Sequence, residues 1–295
     1  MFKKNLENLK EHLQKNNIDL AVITDDDSLY YFTGYYDFLH MSFGRPTILL
    51  VPKDSETLLI TPLIDAHLVN KNCPVDKITT WNDGVDNEWR EQLPKYIKQN
   101  LNVAIEKLKI SSLVLNYITS LLDENLLKNI TPTLDSIRMI KNKEELKIAK
   151  SAGKVAEAMM YAGKEAIGHD VPEYEVALAT SQAGTRKAAE ILKNEFEESD
   201  MSPLIHFLQI MASGKDLPKT HHRASTKLIK KGDPVFLCFC GMTNFHKFKL
   251  GFDRTFWLSE INDKSQIKTY ETAVQSQKAA LSVLGPGVKA EDVHA

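Results

Sequence analysis

The chain is poor in cysteine, has no apolar run of membrane-spanning length and carries almost no excess of charge. Each shortage closes off a class of protein. Three cysteines in 295 residues, an odd number, do not make a disulfide framework. No uninterrupted apolar stretch approaches the roughly 20 residues a helix needs to cross a bilayer. The N-terminal MFKKNLENLKEHLQKNN has the charge of a signal peptide's first segment without the apolar block that should follow it. A cytoplasmic protein is the expectation. With 37 Lys and Arg against 39 Asp and Glu, a net charge of −2, and the basic residues spread along the whole length, nothing resembles the basic face of a nucleic-acid binder. Repeats and low-complexity linkers are absent too, so a domain boundary is legible only as a change of pattern.

What remains is an ordinary globular composition, 43% hydrophobic and 26% charged, long enough for two domains. The first pattern is α/β. Leu6, Leu9 and Leu13 fall at helical spacing, and Asp19 to Thr24 follows as a strand. Asp25 to Asp27 reads as a solvated turn. The aromatic stretch LYYFTGYYDFLHMSFGRP either packs a core or lines a cavity. Thr47 to Pro52 and Thr57 to Thr61 predict a hairpin. Strand and helix then alternate through 78–80, 89–99, 103–106, 111–122 and 131–134, giving an α/β domain that ends near residue 137.

From Asn142 the pattern turns helical. Ile148, Ala152, Val155, Met159, Ala162 and Ala166 share one face, and the helix stops near Gly168. Pro172-Glu-Tyr-Glu175 opens a second helix with acids at the positive end of its dipole, reaching Leu192. Two helices before a β region mark an α+β second domain over 138–295, with Pro203 to Ser213 as its first long strand. After Leu258 a helix resumes over 265–284, breaks at Gly285-Pro-Gly287 and restarts at Ala290. A helix begun so near the last residue has little to pack against, which raises the expectation that the sequence is part of a longer one.

Groups able to move protons concentrate between Ser213 and Leu258. His221 and His222 precede a turn, Val235 to Cys240 is a continuous apolar run, and Asp253-Arg254 precedes Thr255-Phe256-Trp257-Leu258. Such a run suits a buried strand, and polar groups at strand ends are displayed on a rigid frame. Cys238 and Cys240 share one strand face, either as small core residues or as a metal pair. The second reading needs two further ligands, and only His246 is a candidate. Lys227 to Lys231 reads as a solvated turn.

Taken in order, Tyr30-Tyr-Phe32, Asp37-Phe-Leu, Ser42-Phe-Gly-Arg-Pro46, Arg138-Met-Ile-Lys, Glu144-Glu145, Val171-Pro-Glu-Tyr-Glu-Val-Ala-Leu178, Lys231-Gly-Asp233 and Asp253-Arg-Thr255 resemble the creatinase branch of the creatinase/aminopeptidase P/prolidase superfamily. The resemblance implies a ribonuclease H-like α/β N-terminal domain over 1–137. An α+β pita-bread domain begins at 138, of which the chain holds the first half.

Metal-dependent members place one Asp two residues before a strand Gly and a second Asp two residues before a Thr-Arg-Thr-like segment, where two divalent ions activate a water. Here those positions read Phe239, before Gly241, and the neighbourhood of Gly251. The resemblance therefore implies the metal-free creatinase pattern, with no cofactor. Counting back from Lys231-Gly-Asp233 matches His221 to the creatinase proton shuttle, with His222 the competing assignment. An imidazole, with an ordinary pKa of about 6.5, can take and return a proton near neutrality.

Asp253 matches the carboxylate that holds the substrate's guanidinium, one methylene shorter than the family's Glu. Arg45 matches the arginine that clamps the substrate carboxylate across a dimer interface, a planar fork that Lys could not reproduce, with Phe43 an apolar wall beside it. The implied protein is a homodimeric hydrolase of a non-peptide C–N bond in a small zwitterion such as creatine. The competing readings are a Xaa-Pro dipeptidase or aminopeptidase, an ectoine-hydrolase-like enzyme, and a catalytically silent pita-bread binding protein.

Overall fold

The computed structural model describes residues 1–36, 44–84, 88–203, 210–219, 221–239, 243–261 and 263–294. They form two compact units: Met1–Ile148 with Glu198–Met201, and Ala149–Glu197 with Ser202–Ala295.

The first unit is a six-stranded mixed sheet in the order β4-β3-β2-β1-β5-β6. The strands are β1 (Leu20–Ile23), β2 (Ile48–Pro52), β3 (Leu58–Pro62), β4 (Lys77–Trp81), β5 (Val103–Ile105) and β6 (Leu127–Asn129). The β1/β2 and β2/β3 pairs are antiparallel; β1/β5, β3/β4 and β5/β6 are parallel. Successive strand residues feed opposite faces, and both faces are covered. Ala21, Ile23, Leu49, Val51, Leu59 and Ala104 join one core with residues of α1 (Phe2–Lys15), α2 (Asp26–Thr33) and α5 (Thr131–Met139). Val22, Leu50, Ile60, Val103 and Ile105 join the other with α3 (Trp89–Tyr96) and α4 (Ser112–Leu121). Double coverage explains why these strands read as unbroken apolar runs.

Two local readings change, and one open alternative is decided in part. Asp25 is not a solvated turn residue: its carboxylate accepts from Ser28 N at 3.1 Å and caps α2. The first part of the aromatic stretch packs a core, with Tyr30, Tyr31, Phe32 and Tyr35 all buried, while Gly34 and Tyr36 line a depression. Residues 131–134 open α5 rather than forming a strand. Pro132 sits in the helix's first turn, and Leu134 and Ile137, at helical spacing, pack onto the sheet.

Helix α6 (Lys143–Ala166) starts within the first unit and continues into the second; it begins with a capping box, in which Asn142 Oδ1 accepts from Glu145 N at 2.9 Å and Glu145 Oε2 accepts from Asn142 N at 2.7 Å. It packs with α7 (Glu173–Glu195) on one face of a three-stranded antiparallel sheet, order β11-β8-β7. Those strands are β7 (Ile210–Ser213), β8 (Pro234–Cys238) and β11 (Asp253–Trp257), and β9 (Thr243–Phe245) with β10 (Phe248–Leu250) forms a separate hairpin. The fit is close at Gly163, where a Cβ would meet Leu237 Cδ1 and Thr180 Cγ2 at 2.7 Å. Helices α8 (Lys264–Val283) and α9 (Ala290–His294) follow.

On β8, Val235 and Leu237 are buried while Phe236 and Cys238 are half-buried. The sheet therefore has a helix-covered face and a second, more open one. No helix of the described residues is long and apolar enough to cross a membrane.

Candidate functional site

The open face is built by register. Cα pairing sets Asp253 opposite Cys238 and Cys238 opposite Ile210, and an isolated antiparallel bridge continues the row from Ile210 to Arg223. Directly opposed residues share a face. The same pairing sets Thr255 and Ala212 beside Phe236. Asp253 is exposed, and its neighbour Arg254 lays its guanidinium over the Phe252 ring, 4.5 Å from the centroid.

The segment carrying His221 and His222 runs along the free edge of β7, where Met211 N donates to His222 O at 3.0 Å. It is anchored from the helix side by Glu173, the first residue of α7, which is fully buried. One carboxylate oxygen of Glu173 accepts from Ser213 N at 3.0 Å and Ser213 Oγ at 2.7 Å. The other accepts from Ser225 N at 3.1 Å and Ser225 Oγ at 2.7 Å, and His222 Nε2 lies 3.3 Å from it. Burial opposes ionisation of Glu173, but the hydrogen bonds from Ser213, Ser225 and His222 together outweigh it and hold the carboxyl below its ordinary value.

A second anchor is Lys227. Its Nζ donates to Ser213 O and, at 2.8 Å, to Asp216 Oδ2, whose carboxylate also takes Lys219 at 2.5 Å. Hydrogen bonds from Lys219 and Lys227 hold Asp216 far below the usual carboxylate range. Lys227 is thus a structural tie and not a solvated turn residue. On the far side, Gly214, at φ +52°, has Asp233 Oδ1 2.7 Å from where a Cβ would stand.

These ties divide the two histidines. His222 is half-buried and committed to Glu173. His221 is exposed, with φ +62°, in the left-handed region, and has no hydrogen-bond partner among the described residues. Of the two, His221 is available to a ligand. Its segment is the fourth strand-like element of the row, and three spacings of about 4.8 Å put the Arg223 and Asp253 backbones roughly 14–15 Å apart.

Two positions, Phe239 and Gly251, were matched in the sequence to the strand-borne metal carboxylates of the resembled family. The Phe239 ring is fully buried and Gly251 has no side chain, so neither offers a donor. Among the described residues no group of three or more His, Cys, Asp and Glu is gathered as a metal site.

Arg45 belongs to the first unit, just before β2. Its Nε and Nη2 both reach Asp83 Oδ2, at 2.7 and 2.5 Å. It lines a depression of about 280 Å³ with Pro62, Leu63, Ile64, Trp81 and Asp83. Phe43 lies outside the described residues.

Glu173 was legible in the sequence only as an acid favouring a helix dipole. Its role as the anchor of the histidine segment depends on Ser213 and Ser225, 40 and 52 residues away, and no local signal announces such a pairing. Arg223 likewise gave no signal, because its place in the row is created by a bridge outside any regular strand.

Two family models match the chain: the creatinase/prolidase N-terminal domain over residues 5–140 and metallopeptidase family M24 over residues 147–295. The chain is 25% identical to the creatinase of Bacillus sp. (strain B-0618), over 97% of this chain and 67% of that protein. It is 26% identical to the Xaa-Pro dipeptidase of Pyrococcus furiosus, over 99% of this chain and 75% of that one. The crystal structure of a dipeptidase from Pyrococcus horikoshii OT3 superposes with a TM-score of 0.78 at 25% identity, covering 98% of this chain and 75% of that chain. The chain is therefore a pita-bread hydrolase of metallopeptidase family M24, carrying a creatinase/prolidase N-terminal domain ahead of its M24 domain.

Proposed function

We propose that this M24 hydrolase is metal-independent and cleaves a non-peptide C–N bond in a small zwitterion, creatine or a close relative. The observation that carries the reading is an exposed imidazole, His221, on the segment bridged to the edge of the sheet that carries Asp253, with Phe239 and Gly251 at the positions matched to metal carboxylates. In this reading Asp253 holds the guanidinium. His221 takes a proton from water as the water oxygen bonds to the guanidinium carbon, and the bond from that carbon to the substituted nitrogen breaks. His221 returns the proton to the leaving nitrogen, so that creatine and water give sarcosine and urea. Glu173, through Ser213, Ser225 and His222, fixes the backbone from which His221 projects.

Arg45 keeps a part only through the face of its fork not taken by Asp83. Its contribution from a second copy of the chain, in a cytoplasmic homodimer, belongs to this same proposal.

Urea release from creatine is the test, measured after exhaustive chelation on wild type and on His221→Ala. Metal-independent turnover lost in the variant supports the reading; turnover that returns only with Mn²⁺ or Co²⁺ sinks it. The similarity to Xaa-Pro dipeptidases favours a second reading, and metal-dependent cleavage of Gly-Pro would select it.

A further inference from the structure

Arg223 and Asp253 stand at the two ends of one row across the second unit's sheet, with Ile210 and Cys238 as the floor between them. Both end residues are exposed, and neither charged group has an ion-pair partner among the described residues. Their backbones stand roughly 14–15 Å apart, three strand spacings, and no ion pair joins the two side chains. The floor is neutral and half-buried at both positions. A molecule with a cation at one end and an anion at the other is the ligand that satisfies both ends at once. His221 stands two residues from Arg223, on the same edge segment.

We propose that Arg223 grips the carboxylate of the zwitterionic substrate, at the opposite end of the row from Asp253. The inference rests on the functional reading above and names a binding residue that reading lacks. It also relieves a difficulty with Arg45, two of whose donors already point at Asp83. Arg223 has its whole fork to offer, and a fork pairs a carboxylate through two parallel hydrogen bonds. A carboxylate held at that edge directs the rest of the molecule over Ile210 and Cys238 toward Asp253.

The test compares two probes on the full chain by titration calorimetry: creatine, which carries both charges, and methylguanidine, which carries only the cation. Wild type should prefer creatine. Arg223→Ala should erase that preference, weakening creatine by about 30-fold or more, the loss of a charge-assisted pair, while methylguanidine binding stays unchanged. Arg223→Lys should restore only part of it. Asp253→Asn should weaken both probes. Retention of the preference in Arg223→Ala, with its loss in Arg45→Ala, overturns the assignment and leaves the functional reading standing. Unchanged binding of both probes in Asp253→Asn, with unchanged turnover in His221→Ala, overturns the functional reading instead. A wild type that shows no preference between the probes overturns the role of Arg223 directly.

Discussion

Glu106 in the first unit and Glu173 in the second are both buried carboxylates that accept from serine hydroxyls, yet they shift in opposite directions. Glu106 accepts from Ser28 Oγ at 2.6 Å and more distantly from Thr24 N and Asp25 N, at 3.4 and 3.3 Å. Burial dominates there, the Asp25 charge adds to it, and the carboxyl is pushed up. Glu173 takes two hydroxyls, two amides and an imidazole, and its carboxyl is held down. Burial alone does not decide the charge of an interior acid; the number and aim of its donors do. The first unit's glutamate tidies the end of a doubly covered sheet. The second unit's glutamate stakes a segment to the rim of a half-open one.

The sharpest test of that contrast is removal of each group. Glu173→Ala strips the partners from Ser213 and Ser225 and should cost about 3 kcal/mol in urea unfolding, since buried donors are left unsatisfied. Glu173→Gln should cost less, because an amide still accepts with one of its atoms. If Glu106→Ala proves equally costly, the two sites are not different in kind.

A smaller effect is expected at Glu106 itself. Glu106→Gln should change stability at neutral pH by no more than about 1 kcal/mol, because it replaces an acid whose ionisation the fold resists. The pH dependence carries the sign. A raised carboxyl such as Glu106 contributes stability below its unfolded value of about 4.3 and loses it as pH rises through the folded value. The lowered carboxyls Glu173 and Asp216 contribute above their unfolded values and lose it as pH falls through the folded ones. Urea melts from about pH 3 to about pH 7 should show the acid-side loss in both proteins, and the loss with rising pH only where Glu106 is intact.

Much of the first unit was readable in advance because its strands are apolar on both sides and its helices periodic. Strands expected at 103–106 and 78–80 stand at Val103–Ile105 and Lys77–Trp81. The error at 131–134 came from a short apolar run that fits either period until its packing partners are known. The hairpin of β9 and β10 escaped notice because its turn is made by His246 and Lys247, both at positive φ, without the glycine that usually marks such a turn. In the second unit the residue types of the candidate site were visible, but their mutual placement was not. Which residue faces Asp253 is a matter of strand register, set by partners 15 and 28 positions further back in pairing. Likewise, nothing local in the sequence near Arg45 revealed that Asp83 would occupy its fork.

The backbone at residue 221 has a further consequence. A β-carbon in the left-handed region costs about 1 kcal/mol relative to glycine, so the chain keeps an imidazole where the main chain would be more comfortable without one. His221→Gly should melt at a higher temperature than the parent while losing the turnover proposed for His221. Under relaxed selection, drift at this position would move toward glycine or asparagine, and a lineage that had abandoned its substrate would carry the mark of it there.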